Sequence, residues 1–178
     1  MIIDTSYFEG DLSIGQISSP AVIASVNLFI KKYEDEFLAK LLGYPLFKLF
    51  KAGIAAETPD QRYLDIKTGV EYEYSGHLNK WRGLTFESDG LKRSPIANYV
   101  YWFYMKDNAS FTMGAGEVKP ENSTSENVSP KLKMIRAWNE MAHMNRELAQ
   151  MIIARRDVYP EYMPVYSGIF KTVNEFGI

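Results

Sequence analysis

A glutamate three residues ahead of a histidine, Glu140-x-x-His143, with Glu147 one turn further on, has the spacing with which helical bundles hold iron or manganese. That chemistry needs two such motifs and two further carboxylates from facing helices. The chain has only two histidines, and the other, His77, is preceded at the same offset by Tyr74. His143 also falls about 140° around its helix from Trp138, off the apolar stripe, so a solvated helix face is the expected role. Gly114-Ala115-Gly116 resembles half of a dinucleotide fingerprint, but it lacks the third glycine and follows a helix instead of a strand. Neither a phosphate-cradling GxxxxGK[ST] nor a Gly-x-Ser-x-Gly elbow occurs. The absence of cysteine excludes disulfides, thiolate zinc sites, redox pairs and cysteine nucleophiles together. A serine triad needs a histidine held by a carboxylate, and His77 beside a hairpin turn is poorly placed for it. The carboxylate pairs Glu34/Glu36 and Glu71/Glu73 read as exposed faces. No catalytic residue, metal site or cofactor is expected, and the chain does not read as an enzyme.

These residues sit on elements that the apolar periodicity outlines. Pro20 follows Ser18 and Ser19, a hydroxyl cap and then a proline where the missing N–H costs nothing. Val22, Val26, Phe29, Ile30, Tyr33, Phe37 and Leu41 then recur in steps of three and four, predicting a helix over 20–42 that Gly43 ends. Lys31, Lys32, Glu34, Asp35 and Lys40 decorate its remaining faces. A short second helix runs from Pro45 to Gly53, and Thr58-Pro59-Asp60 marks a turn and restart. At Val70, Tyr72 and Tyr74 the period changes to two; with the Ser75-Gly76 turn this predicts a hairpin over 68–86. Ser94-Pro95 opens a helix with Ile96, Tyr99, Val100 and Phe103 on one side and Tyr101, Trp102 and Tyr104 on others. Such a helix is buried on most sides, centrally or at an interface. Residues 109–128 read as a long polar loop, with 117–128 mobile or extended away from the body. A last helix runs from Ser129-Pro130 through Leu132, Ile135, Trp138, Ala142, Asn145, Leu148 and Ile152 to about Arg156, roughly 40 Å. Residues 1–18 read as an N-terminal arm and 157–178 as an irregular tail whose Val173, Phe176 and Ile178 should dock. The fold class is mainly α: a small helical bundle with one β-hairpin and a long polar loop before the longest helix, all one domain.

Composition narrows the function classes. With 178 residues, 46% of them hydrophobic and 24% charged, the chain can bury a full core without staples. Twenty basic against 22 acidic residues leave a net charge of −2, without the basic excess of a duplex-gripping protein. Lys131, Lys133, Arg136, Arg155 and Arg156 give the last helix basic ends, of which the C-terminal pair suits the helix dipole. Nothing in the sequence reads as a signal peptide, and Ala97–Met105, the most apolar stretch, is too short to span a bilayer. The aromatic content is the unusual feature: 12 Tyr, 10 Phe and 3 Trp, 14% of the chain. Aromatics are enriched in cores and at protein interfaces alike.

Four segments in this order resemble the head–tail connector (adaptor, or head-completion) proteins of tailed bacteriophages, especially those of phages and prophages of Bacteroides-like hosts. They are FIKKYEDEFLAKLLGYPLFKLF at 29–50; KWRGL at 80–84 with SPIANYVYWFY at 94–104; the glycine-containing polar loop ahead of the long helix; and the terminal VNEFGI at 173–178.

The resemblance implies a structural virion part: a subunit of a ring under the portal, a dodecamer, that bridges to tail-side proteins at the head–tail junction. DNA would pass through without sequence-specific binding, no membrane would be involved, and assembly would take place in the bacterial cytoplasm. On that footing the candidate interaction residues are Tyr72, Tyr74, Trp81, Tyr101, Trp102, Tyr104, Val118, Val173, Phe176 and Ile178. The alternative is a small helical ligand-binding or regulatory domain whose all-round apolar helix lines a pocket.

Overall fold

The computed structural model describes residues 1–108, 111–113, 116–118, 131–164 and 168–174, the strands at 111–113 and 116–118 as backbone only. Five helices carry the fold: α1 (Pro20–Leu42), α2 (Tyr44–Ile54), α3 (Gln61–Thr68), α4 (Pro95–Asp107) and α5 (Lys131–Ala154). Ser19 occupies the N-cap position of α1 without a side-chain cap bond, so the proline alone marks that start. Ser94 does cap α4, its hydroxyl accepting from the Ile96 N–H at 3.1 Å, and Asp60 caps α3 in the same way through Arg62 N–H. Gly43 both ends α1 and begins α2, at φ +78°. A Cβ there would lie 2.0 Å from the Met163 carbonyl oxygen, so the chain after α5 crosses α1 and α2 only because this position is glycine.

The core lies where α4 packs against both α1 and α5. Val26, Ile30, Phe37, Leu38, Leu41 and Leu42 of α1 are buried, as are Met141, Ala142, Met144, Leu148, Met151 and Ile152 of α5. From α4 everything from Pro95 to Tyr101 is buried, and Tyr104 with it. A helix apolar on most sides has here found neighbours on most sides within its own chain.

Mainly α is the architecture, but the strands are more numerous than the sequence reading allowed. The expected hairpin is present as β1 (Val70–Tyr74) and β2 (His77–Trp81), antiparallel with Tyr74 opposite His77 and Val70 opposite Trp81. Ser75 and Gly76 both have positive φ, the two-residue turn whose twist matches the strands. A second hairpin joins β3 (Phe86–Ser88) to β4 (Leu91–Arg93) across Asp89-Gly90, again both at positive φ. Asp-Gly between short extended runs is a strong hairpin signal, here hidden by strands of only three residues. A third pairs β5 (Phe111–Met113) with β6 (Gly116–Val118) inside the segment expected to be loop throughout. Of the stretch 117–128, expected to be mobile or extended from the body, residues 117 and 118 belong to β6 and 119–128 lie outside the described residues.

Residues 1–18 are not a loose arm. Two 3-10 turns, Thr5–Tyr7 and Gly10–Leu12, fold the segment onto the body, and Ile3, Tyr7, Phe8, Leu12 and Ile14 are buried. Glu34, expected on a solvated face of α1, holds it there. Only 2% exposed, its carboxylate accepts from the Ile2 N–H at 2.7 Å and the Ile3 N–H at 3.3 Å. A buried carboxylate is tolerable only with such partners.

Candidate functional site

Tyr99 is the centre of an aromatic cluster that α1, α4 and α5 build together. Its ring lies within 4.8–6.3 Å of those of Phe103, Phe37, Tyr33 and Trp138, and Tyr33 stacks on Phe103 at 4.5 Å. The Tyr99 hydroxyl donates to Glu36 and accepts from the Lys40 ammonium, both at 2.9 Å. Burial is the main reason its phenol is pushed up to about 12. This cluster absorbs much of the aromatic surplus.

Four of the candidate interaction residues prove to be core. Tyr101 is completely buried, and Tyr104 packs edge-on to Phe29 at 5.3 Å. Tyr72 is buried on the hairpin face toward α5, and Trp81 is completely buried with its indole N–H donating to the Ile66 carbonyl at 2.9 Å. The cause is the sandwiching of α4 and the docking of the β1–β2 hairpin, which turn these rings inward. They offer no surface to a neighbour.

Others remain at the surface. Tyr74, at the hairpin tip, is exposed. Trp102 is half-buried against Trp138, with ring centroids 4.9 Å apart. Trp138 in turn anchors the tail: its indole N–H donates to the Lys171 carbonyl at 2.9 Å. Val173 is held along the same helix, its N–H donating to Asn139 Oδ1 at 2.8 Å and its carbonyl accepting from Asn139 Nδ2 at 3.0 Å. Asn145 donates to the Ile169 carbonyl at 2.8 Å, and Ile169 is buried. Residues 168–174 therefore dock on α5 of their own chain. Val118 lies in β6, paired through the backbone with Phe111, and its side chain is not among those described. Phe176 and Ile178 lie outside the described residues.

The sequence reading passed over Leu78, which is 71% exposed on the outer face of β2 opposite Glu73. The signal was available: the alternation that turns Trp81 and Asn79 inward puts position 78 outward, where the leucine stays largely uncovered among the described residues. Leu28, Ile153, Tyr44 and Met163 are further exposed apolar side chains.

The chemical constellations separate. Glu140 accepts from Asn98 Nδ2 at 3.2 Å and lies 3.6 Å from the Arg93 guanidinium. His143 faces Glu147 instead, Nε2 to Oε1 at 3.3 Å, and Glu147 also meets Arg82 at 3.2 Å. Among the described residues no three acids or histidines converge on a point that could hold a metal ion. Arg155, just past the end of α5, is bound to the buried Asp65 at 2.6 Å. Lys133 and Arg136 border a cleft of about 240 Å³ together with Asp11, Glu140, Gly10 and Leu12, so its lining is of mixed charge. No described helix is long and apolar enough to cross a membrane.

The chain matches no known protein family, no curated protein and no solved structure.

Proposed function

We propose that this protein is a structural virion component that joins a phage head to its tail, acting as one subunit of a ring between the portal and the tail-side proteins, with DNA passing through. The observation that carries this reading is the order of segments along the chain: the helix broken at Leu42-Gly43-Tyr44, Lys80-Trp81-Arg82-Gly83-Leu84 ahead of the aromatic helix, the polar loop, and the terminal Phe176-Gly177-Ile178. Three physical features support it. The near-neutral charge suits a passage through which DNA slides without being gripped. The body is pinned at both ends, through Glu34 and through Trp138, Asn139 and Asn145, as a part under load requires. The hairpin tip presents Leu78, and in part Tyr74, uncovered among the described residues.

Deletion of the gene in a host carrying the phage tests the proposal. Packaged heads and separate tails should accumulate unjoined, and the gene supplied in trans should restore whole particles. Normal infectious particles from the deletion strain would refute it. So would a native gene neighbourhood of metabolic genes without portal, terminase or major capsid genes.

A further inference from the structure

The β1–β2 hairpin leaves both of its edges open. It is a two-stranded sheet, and among the described residues no backbone group outside it bonds to either strand. Because the turn has two residues, Tyr74 and His77 exchange ladder bonds, and so do Tyr72 with Asn79 and Val70 with Trp81. The intervening residues then point their N–H and C=O groups outward: Glu71 and Glu73 from β1, Leu78 and Lys80 from β2. All four side chains are exposed on the same outer face. Neither Glu71, Glu73 nor Lys80 forms an ion pair among the described residues. One edge of the hairpin is thus acidic, and the other is basic and apolar.

We propose that copies of this chain join head to tail by strand addition, the β1 edge of one copy pairing with the β2 edge of the next. Antiparallel pairing brings the outward N–H and C=O groups of Glu71 and Glu73 onto those of Lys80 and Leu78 in the neighbour. Placing either glutamate opposite Lys80 creates an opposite-charge cross-strand pair and leaves the other beside it. The alternatives are worse. Two β1 edges together would set four carboxylates against one another, and two β2 edges would form no ion pair at all. The β2 edge also borders an open cleft of about 390 Å³ lined by Thr68, Lys80, Arg82, Phe86, Glu87 and Ser88, room for an arriving glutamate between Lys80 and Arg82. Glu87, the acid at that rim, stands opposite Lys92 across its own hairpin. Leu78 would be covered in the same step. A head-to-tail interface closes into a ring or runs on as a filament, whereas a two-fold interface stops at a dimer. The pairing names the joint between copies that the ring reading of the function requires, although the edges and charges that argue for it are independent of any phage.

Sedimentation velocity over a concentration series at low ionic strength tests the joint. The doubly reversed E71K/E73K chain and the K80E chain should each lose self-association about tenfold or more, since like charges then face each other across every contact. An equimolar mixture of the two should recover it, because each acidic edge again meets a basic one. Glu73→Pro removes only an outward N–H, an edge-strand position where proline is tolerated, and should block association while the monomer melts as before. Self-association unchanged in these variants would overturn strand addition while leaving a ring built through other surfaces possible. A wild-type chain that stays monomeric at every concentration would also overturn it. Edge-dependent assembly together with normal particles from the gene-deletion strain would instead refute the head–tail reading and keep the strand joint.

Discussion

Replacing Glu34 by alanine should release the N-terminal segment. The carboxylate is 2% exposed and accepts two backbone N–H bonds, from Ile2 at 2.7 Å and Ile3 at 3.3 Å. Hydrogen bonds to a charged group are worth about 1.5–3 kcal/mol each, so their gross loss is about 3–6 kcal/mol. Ile2 is only half-buried and water can take over its N–H, whereas Ile3 is buried and its N–H would be orphaned. That discounts the expected cost to about 3–4 kcal/mol. At about 2–4 °C per kcal/mol for a chain of this size, the melting temperature should fall by roughly 6–16 °C. Glu34→Gln keeps one acceptor oxygen for the two N–H groups but loses the charge and puts an NH2 where Oε1 faces the Met1 ammonium, so about half that loss is expected. Scanning calorimetry gives the shift, and hydrogen exchange locates it: protection should drop over residues 1–14, where Ile3, Phe8, Leu12 and Ile14 are buried, before it drops in α1. A Glu34→Ala chain that melts within about 2 °C of the wild type, with those amides still protected, would refute the clamp.

Three further expectations follow from the packing. Gly53 lies within α2, where alanine ordinarily gains about 1 kcal/mol, but a Cβ there would lie 2.1 Å from the Tyr63 ring. Gly53→Ala should therefore destabilise, by about 1–3 kcal/mol in urea titration, and a rise in stability would contradict the contact. Arg155→Ala leaves the buried Asp65 carboxylate with Gln61 as its remaining side-chain partner; since Arg155 is itself part-exposed, the cost should be about 2–3 kcal/mol, and under about 0.5 kcal/mol would deny the pair a structural role. Burial pushes the phenols of Tyr99, Tyr159 and Tyr162 up to about 12. Below pH 10 both folded and unfolded chains hold these protons and stability is flat. Between about pH 10 and 12 the unfolded chain releases them first, so stability falls as pH rises, and an ultraviolet titration should show a late-ionising group of tyrosines.

Elements with a long apolar period were legible from sequence: α1 spans Pro20–Leu42 where the stripe from Val22 to Leu41 and Gly43 placed it. The β1–β2 hairpin was legible too, because alternation and Ser75-Gly76 agree. The segment at 1–18 was not, since its buried Ile3, Phe8 and Leu12 obey no helical or strand period and are held by a glutamate 31 residues away from Ile3. Periodicity carries no signal for a contact of that range. The aromatic residues show the opposite failure. Their type suggested an interface, yet whether Tyr101 or Tyr104 faces a neighbour or the core depends on which helices flank α4, and the fate of Trp81 depends on where the β1–β2 hairpin docks, both tertiary facts. Leu78 and the charge difference between Glu71/Glu73 and Lys80 could be read once the register was known, because register alone decides which residues share the outer face.

Electron microscopy of the purified full chain, alone and mixed with the portal protein that the proposal requires, tests the functional proposal most directly. Closed rings of uniform copy number, coaxial with the portal and open at the centre, are expected. Single particles the size of one subunit in both samples, with no density added to the portal, would contradict it.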